Sequence, residues 1–288
     1  MKLKNKILIL GANGMLGSTL LRYFSNQDSF EVFGTVRGER HRQFFADDLR
    51  DRIISNVDIL SFDTLQSIFS EIKPAIVINC IGVVKQLKAS EDALLTIPIN
   101  SLLPHKLANL CELNGARLIH FSTDCVFSGL KGMYVEGDFA DADDLYGRSK
   151  FLGEVIGKNV ITLRTSIIGH ELEGSRSLVD WFLSQENKVN GFEGAIFSGL
   201  PTIEIARVLH ERVIPNPGLT GLYHLSVDPI SKFKLLNLIA FQYGKAIDII
   251  AKDHYRINRS LDSGRFRQAT GFTPKSWPQL IKEMHDFK

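Results

Sequence analysis

The sequence predicts an α/β fold, a doubly wound parallel sheet with a smaller C-terminal α/β lobe. Three observations predict it. Short, continuous apolar runs alternate with helix-periodic segments through residue 164, as strands buried on both faces and joined by crossover helices require. A glycine-rich turn, Gly11-Ala-Asn-Gly-Met-Leu-Gly17, joins the first apolar run to the first helical segment. Beyond residue 168 the segments become shorter and less regular. The expected domains are therefore 1–168 for the sheet and 169–288 for the lobe, whose segments can return to the first domain.

With 288 residues, 44% hydrophobic and 23% charged, the chain can bury one large core or a large and a small one. A formal net charge of +2 without a basic tract gives no electrostatic case for nucleic acid. No stretch reaches the roughly 18 to 20 apolar residues of a spanning helix, so no membrane partner is expected. Cys80, Cys111 and Cys125 lie far apart and the histidines are scattered. Neither shows ligand spacing, so no metal is expected, and a reducing cytoplasm is the natural compartment.

Residues 6–10, Lys-Ile-Leu-Ile-Leu, read as a buried strand rather than a leader, because they are too short and run into the glycine turn. In that turn Gly11 permits the sharp bend, Gly14 lets backbone approach a pyrophosphate, and Gly17 allows close helix packing. A plain strand-to-helix turn can look the same, but the strand before and helix after favour a dinucleotide fingerprint of the Rossmann type. The second strand, 30–36, ends at Arg37, which suits the NADP phosphate or is a solvated arginine; Glu39 nearby is the acidic competitor. Residues 56–60 read as the end of a third strand, with Asp63 capping a helix over 64–72. Asp58 either meets the adenine amine or is a turn carboxylate. Residues 74–80 form a fourth strand, ending in Ile81-Gly82, where small backbone can lie against a cofactor.

A helix over 99–113 stops at Asn114-Gly115, and residues 117–121 are a fifth strand that delivers Ser122-Thr123-Asp124 to its carboxyl end. The hydroxyls there either cap the next turn or reach a substrate carbonyl. Residues 129–144 form a Gly- and Asp-rich loop before a helix that starts near Tyr146 and runs to residue 156. Tyr146 and Lys150, four apart, share one helical face, and an adjacent cation favours the phenolate. Residues 160–164 are the sixth strand. In the lobe, helices are expected over 178–183, 203–213, 230–243 and 276–284, with Pro278 in the last one's first turn, and strands over 195–197 and 221–226.

Together the glycine loop, Ser122-Thr-Asp-Cys-Val-Phe127, Tyr146-Gly-Arg-Ser-Lys-Phe-Leu-Gly-Glu154, Leu163-Arg-Thr-Ser166, Arg259-Ser-Leu-Asp-Ser263 and Ser276-Trp277 resemble the extended short-chain dehydrogenase/reductase family. The resemblance is to its dTDP-4-dehydrorhamnose reductase-like branch and spans nearly the whole chain. It implies a reductase of a nucleotide-linked 4-keto-6-deoxysugar, using NADPH with NADH as the alternative, and it admits a homodimer. Thr123, Tyr146 and Lys150 would be the catalytic trio. Gly11, Asn13, Gly14, Met15, Leu16, Gly17, Arg37, Asp58, Ile59, Cys80, Ile81 and Gly82, with Tyr146 and Lys150, would hold the cofactor. Val84, Thr123, Asp124, Cys125 and Ile167 would line the sugar. Cys125 stands where rhamnose-forming enzymes of the branch carry an aromatic, and Ile167 where they carry a tryptophan, which points to a different 4-keto sugar, such as an N-acetylated one for surface polysaccharide. Two other readings compete: a nucleotide-sugar epimerase or dehydratase of the same superfamily, and a non-catalytic NADP-binding regulatory subunit.

Overall fold

The computed structural model describes residues 4–85 and 88–287. Its first elements are β1 (Asn5–Leu10), α1 (Met15–Ser25), β2 (Phe30–Thr35), α2 (Asp47–Arg50), β3 (Ile53–Ile54), α3 (Phe62–Ile72) and β4 (Ile76–Asn79). There follow α4 (Ala93–Thr96), α5 (Leu103–Leu113), β5 (Arg117–Thr123), α6 (Leu145–Leu152), β6 (Val160–Thr165), β7 (Ile167–Ile168), α7 (Leu178–Ser184), β8 (Lys188–Phe192), β9 (Ala195–Phe197) and β10 (Leu200–Pro201). The chain ends with α8 (Thr202–Val208), β11 (Gly221–His224), β12 (Ile230–Ser231), α9 (Lys232–Gln242), β13 (Asp248–Lys252), β14 (Ile257–Asn258), α10 (Gly264–Thr270) and α11 (Trp277–Asp286). By packing it divides into two units. The first is Met1–Ser122, Asp144–Leu163 and Asn216–Leu222; the second is Thr123–Asp143, Arg164–Pro215 and Tyr223–Lys288.

The main sheet runs β11-β6-β5-β4-β1-β2-β3. The pairs β1 with β2, β1 with β4, β2 with β3 and β4 with β5 are parallel. Strand order reverses between β1 and β4, the switch point at which open α/β sheets hold ligands beyond their carboxyl ends. The strands are apolar without alternation because both faces are covered: Ile7, Leu8, Ile9 and Leu10 are all fully buried. On one face Leu8, Leu10, Val77 and Leu118 pack with Phe69 of α3 and Leu107 of α5.

Several boundaries differ from expectation. The third strand is Ile53–Ile54 and stops before residues 56–60, where Asn56 turns into the left-handed region at φ 57°. Ser61, not Asp63, caps α3, its Oγ accepting from the Thr64 amide at 3.3 Å; Asp63 lies inside the first turn. The helix expected to begin at 99 begins at 93, with Asp92 capping α4. It passes through a π-helical turn, Ile97–Leu102, into α5. The Tyr146 helix ends at Leu152, with Gly153 as C-cap, rather than running to 156.

The second unit bears out the strand expected over 195–197, β9, and has others the periodicity missed: β13, which pairs with β8, β10, which pairs with β7, and β12 and β14, which flank β9. The four expected helices fall close to expectation, though 230–231 are strand before α9, and α10 was not expected. Gln279 reaches back to the Ser276 amide at 3.2 Å, which fixes the start of α11. Phe127 stacks on Tyr134 with ring centroids 4.1 Å apart, and both are buried with Val126 and Leu261. Against them His224 Nδ1 meets the Tyr134 carbonyl at 2.9 Å and its Nε2 meets Arg164 at 3.2 Å. Burial, then the Arg164 charge, pull the His224 imidazole down to about 4.

Candidate active site

The glycine turn builds a cradle. Gly11 sits at φ 80°, and a Cβ there would lie 2.8 Å from Ile81 Cγ1 and 3.4 Å from the Cys80 carbonyl, so the turns after β1 and β4 touch. A Cβ on Gly17 would meet the Gly11 carbonyl at 2.2 Å, which only glycine avoids. Gly14 is exposed, and a Cβ on it would meet only the Gly11 carbonyl, at 3.5 Å. Gly14 is also the N-cap of α1, with no side-chain cap and no acidic residue in the first turn. The Met15, Leu16 and Gly17 amides lack intrahelical acceptors, so this loop fits an anion such as a diphosphate. Asn13, next to Gly14, is half-buried, and Leu16 is buried.

At the end of β2 the exposed Arg37 follows Val36, whose carbonyl accepts from the Val57 amide at 3.2 Å. Arg37 and Asp58 thus follow neighbouring residues. The Arg37 guanidinium makes no ion pair among the described residues, whereas Glu39 is engaged by Arg42 at 3.0 Å and by the Ser55 hydroxyl. Asp58 is exposed, its Oδ1 accepting from the Leu60 amide at 3.0 Å, a turn carboxylate as the structure stands. Ile59 packs on the core beside it. Burial raises the Cys80 thiol, so it stays protonated.

Helix α6 starts at Asp144, whose side chain accepts from the Gly147 amide at 2.7 Å and pairs with Lys85 at 2.5 Å. Tyr146 is half-buried, and Lys150, one turn on, is buried. Lys150 Nζ donates to the Phe121 carbonyl of β5 at 2.7 Å, and a Cβ on Gly82 would lie 3.9 Å from it. Burial pulls the ammonium down to about 8, against the opposing charge of Glu154. Beneath it, burial and the Lys150 charge hold His120 well below the usual histidine range; its Nδ1 meets Asn79 at 3.2 Å.

Sequence reasoning missed Asn100, which ties these turns together. Its Oδ1 accepts from the Val83 amide at 2.9 Å, and its Nδ2 donates to the Val83 carbonyl at 3.1 Å and to Ser149 Oγ at 3.3 Å. Pro104 cannot donate to the Asn100 carbonyl in the helical pattern, and Gly153 packs there, where a Cβ would lie 1.9 Å from that oxygen. The two prolines, Pro98 at the start of the π turn and Pro104 just after it in α5, were the available signal. Val84, next to this turn, is exposed.

The first unit therefore brings the glycine loop together with Cys80 and Ile81, and Gly82 with Lys150. The second unit holds the remaining four predicted residues. Thr123 caps the turn 124–126, accepting from the Cys125 amide at 3.1 Å and donating to Asp124 Oδ1 at 3.2 Å. Burial raises the Asp124 carboxyl, against Arg259. Arg259 Nε donates to the Phe127 carbonyl at 2.7 Å and Nη1 reaches Cys125 Sγ at 3.9 Å. Ile167 is half-buried in β7.

Comparison with known proteins agrees with this architecture. A dTDP-4-dehydrorhamnose reductase of Aggregatibacter actinomycetemcomitans is 23% identical over 98% of this chain and 99% of its own. A methionine adenosyltransferase 2 subunit beta of Danio rerio is 26% identical over 82% of this chain and 73% of its own. The solved dTDP-4-dehydrorhamnose reductase of Bacillus anthracis, in complex with NADP, has a TM-score of 0.82 at 21% identity and covers 100% of both chains, a likeness of fold. The family described as the RmlD substrate binding domain matches residues 5–286, nearly the whole sequence, and the chain belongs to that family.

Proposed function

We propose that the protein is an NADPH-dependent reductase of a nucleotide-linked 4-keto-6-deoxysugar. The observation that carries this reading is the buried Lys150, one turn after Tyr146 and pinned to the tip of β5 beside Gly82. A buried ammonium with a depressed pKa at the carboxyl edge of an open α/β sheet marks a working site more often than a structural one. When bound, the cofactor supplies a hydride to the keto carbon. Tyr146 gives its phenolic proton to the carbonyl oxygen as charge develops there, and Thr123 hydrogen-bonds the same oxygen. Lys150 holds the nicotinamide ribose and stabilises the phenolate left on Tyr146. The amides of residues 15–17 would hold the diphosphate, and Arg37 would take the 2′-phosphate, a role favoured by Glu39 being occupied elsewhere. Asp58 and Ile59 flank the adenine, and Cys80, Ile81 and Gly82 the nicotinamide half. Val84, Asp124, Cys125 and Ile167 line the sugar, and residues 169–288 form the smaller substrate-binding lobe.

The test is NADPH oxidation against a panel of nucleotide 4-keto sugars, with product stereochemistry assigned by NMR. Tyr146→Phe should lose at least ~100-fold in kcat while NADPH affinity stays within about twofold, because only the proton transfer is removed. Unchanged turnover in that variant refutes the assignment. A second reading is a non-catalytic NADP-binding regulatory subunit, and the Danio rerio relative, itself a subunit of a methionine adenosyltransferase, is in keeping with it. A protein that binds NADPH but reduces no keto sugar would establish that reading instead.

A further inference from the structure

Glu154 takes no part in the chemistry above. It follows the C-cap of α6, and the buried Ser122 hydroxyl donates to its Oε1 at 2.7 Å. Ser122 is the chain neighbour of Phe121, whose carbonyl takes Lys150 Nζ at 2.7 Å. Lys150 and Glu154, four residues apart, therefore grip two consecutive residues of β5. The titratable groups whose charges couple to Lys150 are Glu154 and His120 on β5, which also feels His105 of α5, while Tyr146 lies one turn earlier on the same helix. Glu154 is the anion among these, since His120 is held neutral and Asp144 at the helix start is paired with Lys85.

We propose that Glu154 is a positioning residue for Lys150: held by the Ser122 hydroxyl, its carboxylate is the counter-charge that keeps the buried ammonium protonated and seated on the β5 tip. This rests on the reading of Lys150 as part of a reductase site. The two bonds to consecutive β5 residues carry it, and the electrostatics agree in direction: the Glu154 charge raises the Lys150 pKa against the burial that lowers it. Replacing Glu154 by Gln keeps an acceptor for Ser122 and removes only the charge, whereas Ser122→Ala keeps the charge and releases the tether.

The experiment follows the Lys150 titration in cofactor-free protein by NMR of lysine labelled with carbon-13 at Cε, the signal assigned with Lys150→Arg. In Glu154→Gln the titration should move to lower pH, with a smaller move in the same direction for Ser122→Ala. In the NADPH-dependent assay, kcat/KM at pH 8.5 relative to pH 6.5 should fall about threefold further in Glu154→Gln than in the parent, the fold-change expected of one partly screened charge pair. An unmoved Lys150 titration in folded Glu154→Gln overturns the proposal. If Glu154→Gln does not fold, an unmoved titration in Ser122→Ala does so. If the titration moves while the parent reduces no keto sugar, the role of Glu154 stands and the reductase reading fails.

Discussion

Replacing Gly153 by Ala probes the contact on which the geometry of α6 depends. Gly153 has an ordinary φ of −87°, so the substitution costs nothing in backbone strain and its whole effect is steric. The added Cβ would lie 1.9 Å from the Asn100 carbonyl oxygen and 3.2 Å from Pro104 Cγ. A comfortable carbon-to-carbonyl contact begins near 3.3 Å, so the end of α6 and the π turn must separate by about 1.4 Å. Both are backbone packed in a core, where overpacking costs about 1–3 kcal/mol. For a chain of this size that is a fall in Tm of roughly 2–5 °C. The same displacement moves Lys150 relative to Gly82, and misplacement of about 1 Å can cost on the order of 100-fold in turnover. Gly137→Ala is the control, since its Cβ meets nothing within 4 Å and it should be neutral or slightly stabilising. Thermal melts of both variants and their NADPH turnover provide the readout. A Gly153→Ala protein that melts within about 1 °C of the parent refutes the close approach.

Two pH effects follow from buried bases. Lys150 is charged below about 8, so kcat/KM should fall about tenfold per unit above that pH. Stability should rise over the same range, because the unfolded lysine binds its proton up to 10.5 and the folded one does not; a parallel loss of both would mean simple alkaline unfolding. His224 gives a slope of the same sign at the acid end. Between 6.5 and about 4 the unfolded histidine is protonated and the folded one is not, so stability falls with falling pH, by at most roughly 3 kcal/mol. Melts from pH 7 to 4.5 should show that slope reduced in His224→Gln, and an identical slope would remove His224 as its cause.

Strands β1, β2, β4, β5 and β6 of the main sheet were legible because burial on both faces leaves uninterrupted apolar runs, as in residues 7–10 and 76–78, whereas the two-residue β3 and the edge strand β11 were misplaced. The second unit resisted because its strands take their definition from partners. β13 alternates little between buried and exposed positions, yet pairs over five residues with β8, some sixty positions earlier in the chain. Two-residue strands such as β7 and β10 exist only as each other's neighbours. Ser61 and Asp63 are both good caps by type, and position in the turn decided between them. The residues singled out around the glycine loop and Tyr146 belong to contiguous motifs, which a sequence displays. The polar groups that support them do not. Asn79 finds His120 across 41 residues, and Ser122 finds Glu154 across 32, distances at which no local period operates.

The buried lysine separates a working site from a structural one. Moving an ammonium from water into this interior lowers its pKa from 10.5 to about 8, which at neutral pH costs the fold roughly 3 kcal/mol. The bond from Nζ to the Phe121 carbonyl returns about 1 kcal/mol of that. A position kept for packing alone would be better filled by an apolar side chain of similar length. Lys150→Met should therefore gain about 2 kcal/mol and raise Tm by several degrees, while turnover with any keto sugar is lost. The melting curve and the NADPH assay on one preparation decide it. Should Lys150→Met melt lower than the parent, the Phe121 contact and the Glu154 counter-charge together outweigh the burial of the ammonium, and that burial loses its force as a sign of function.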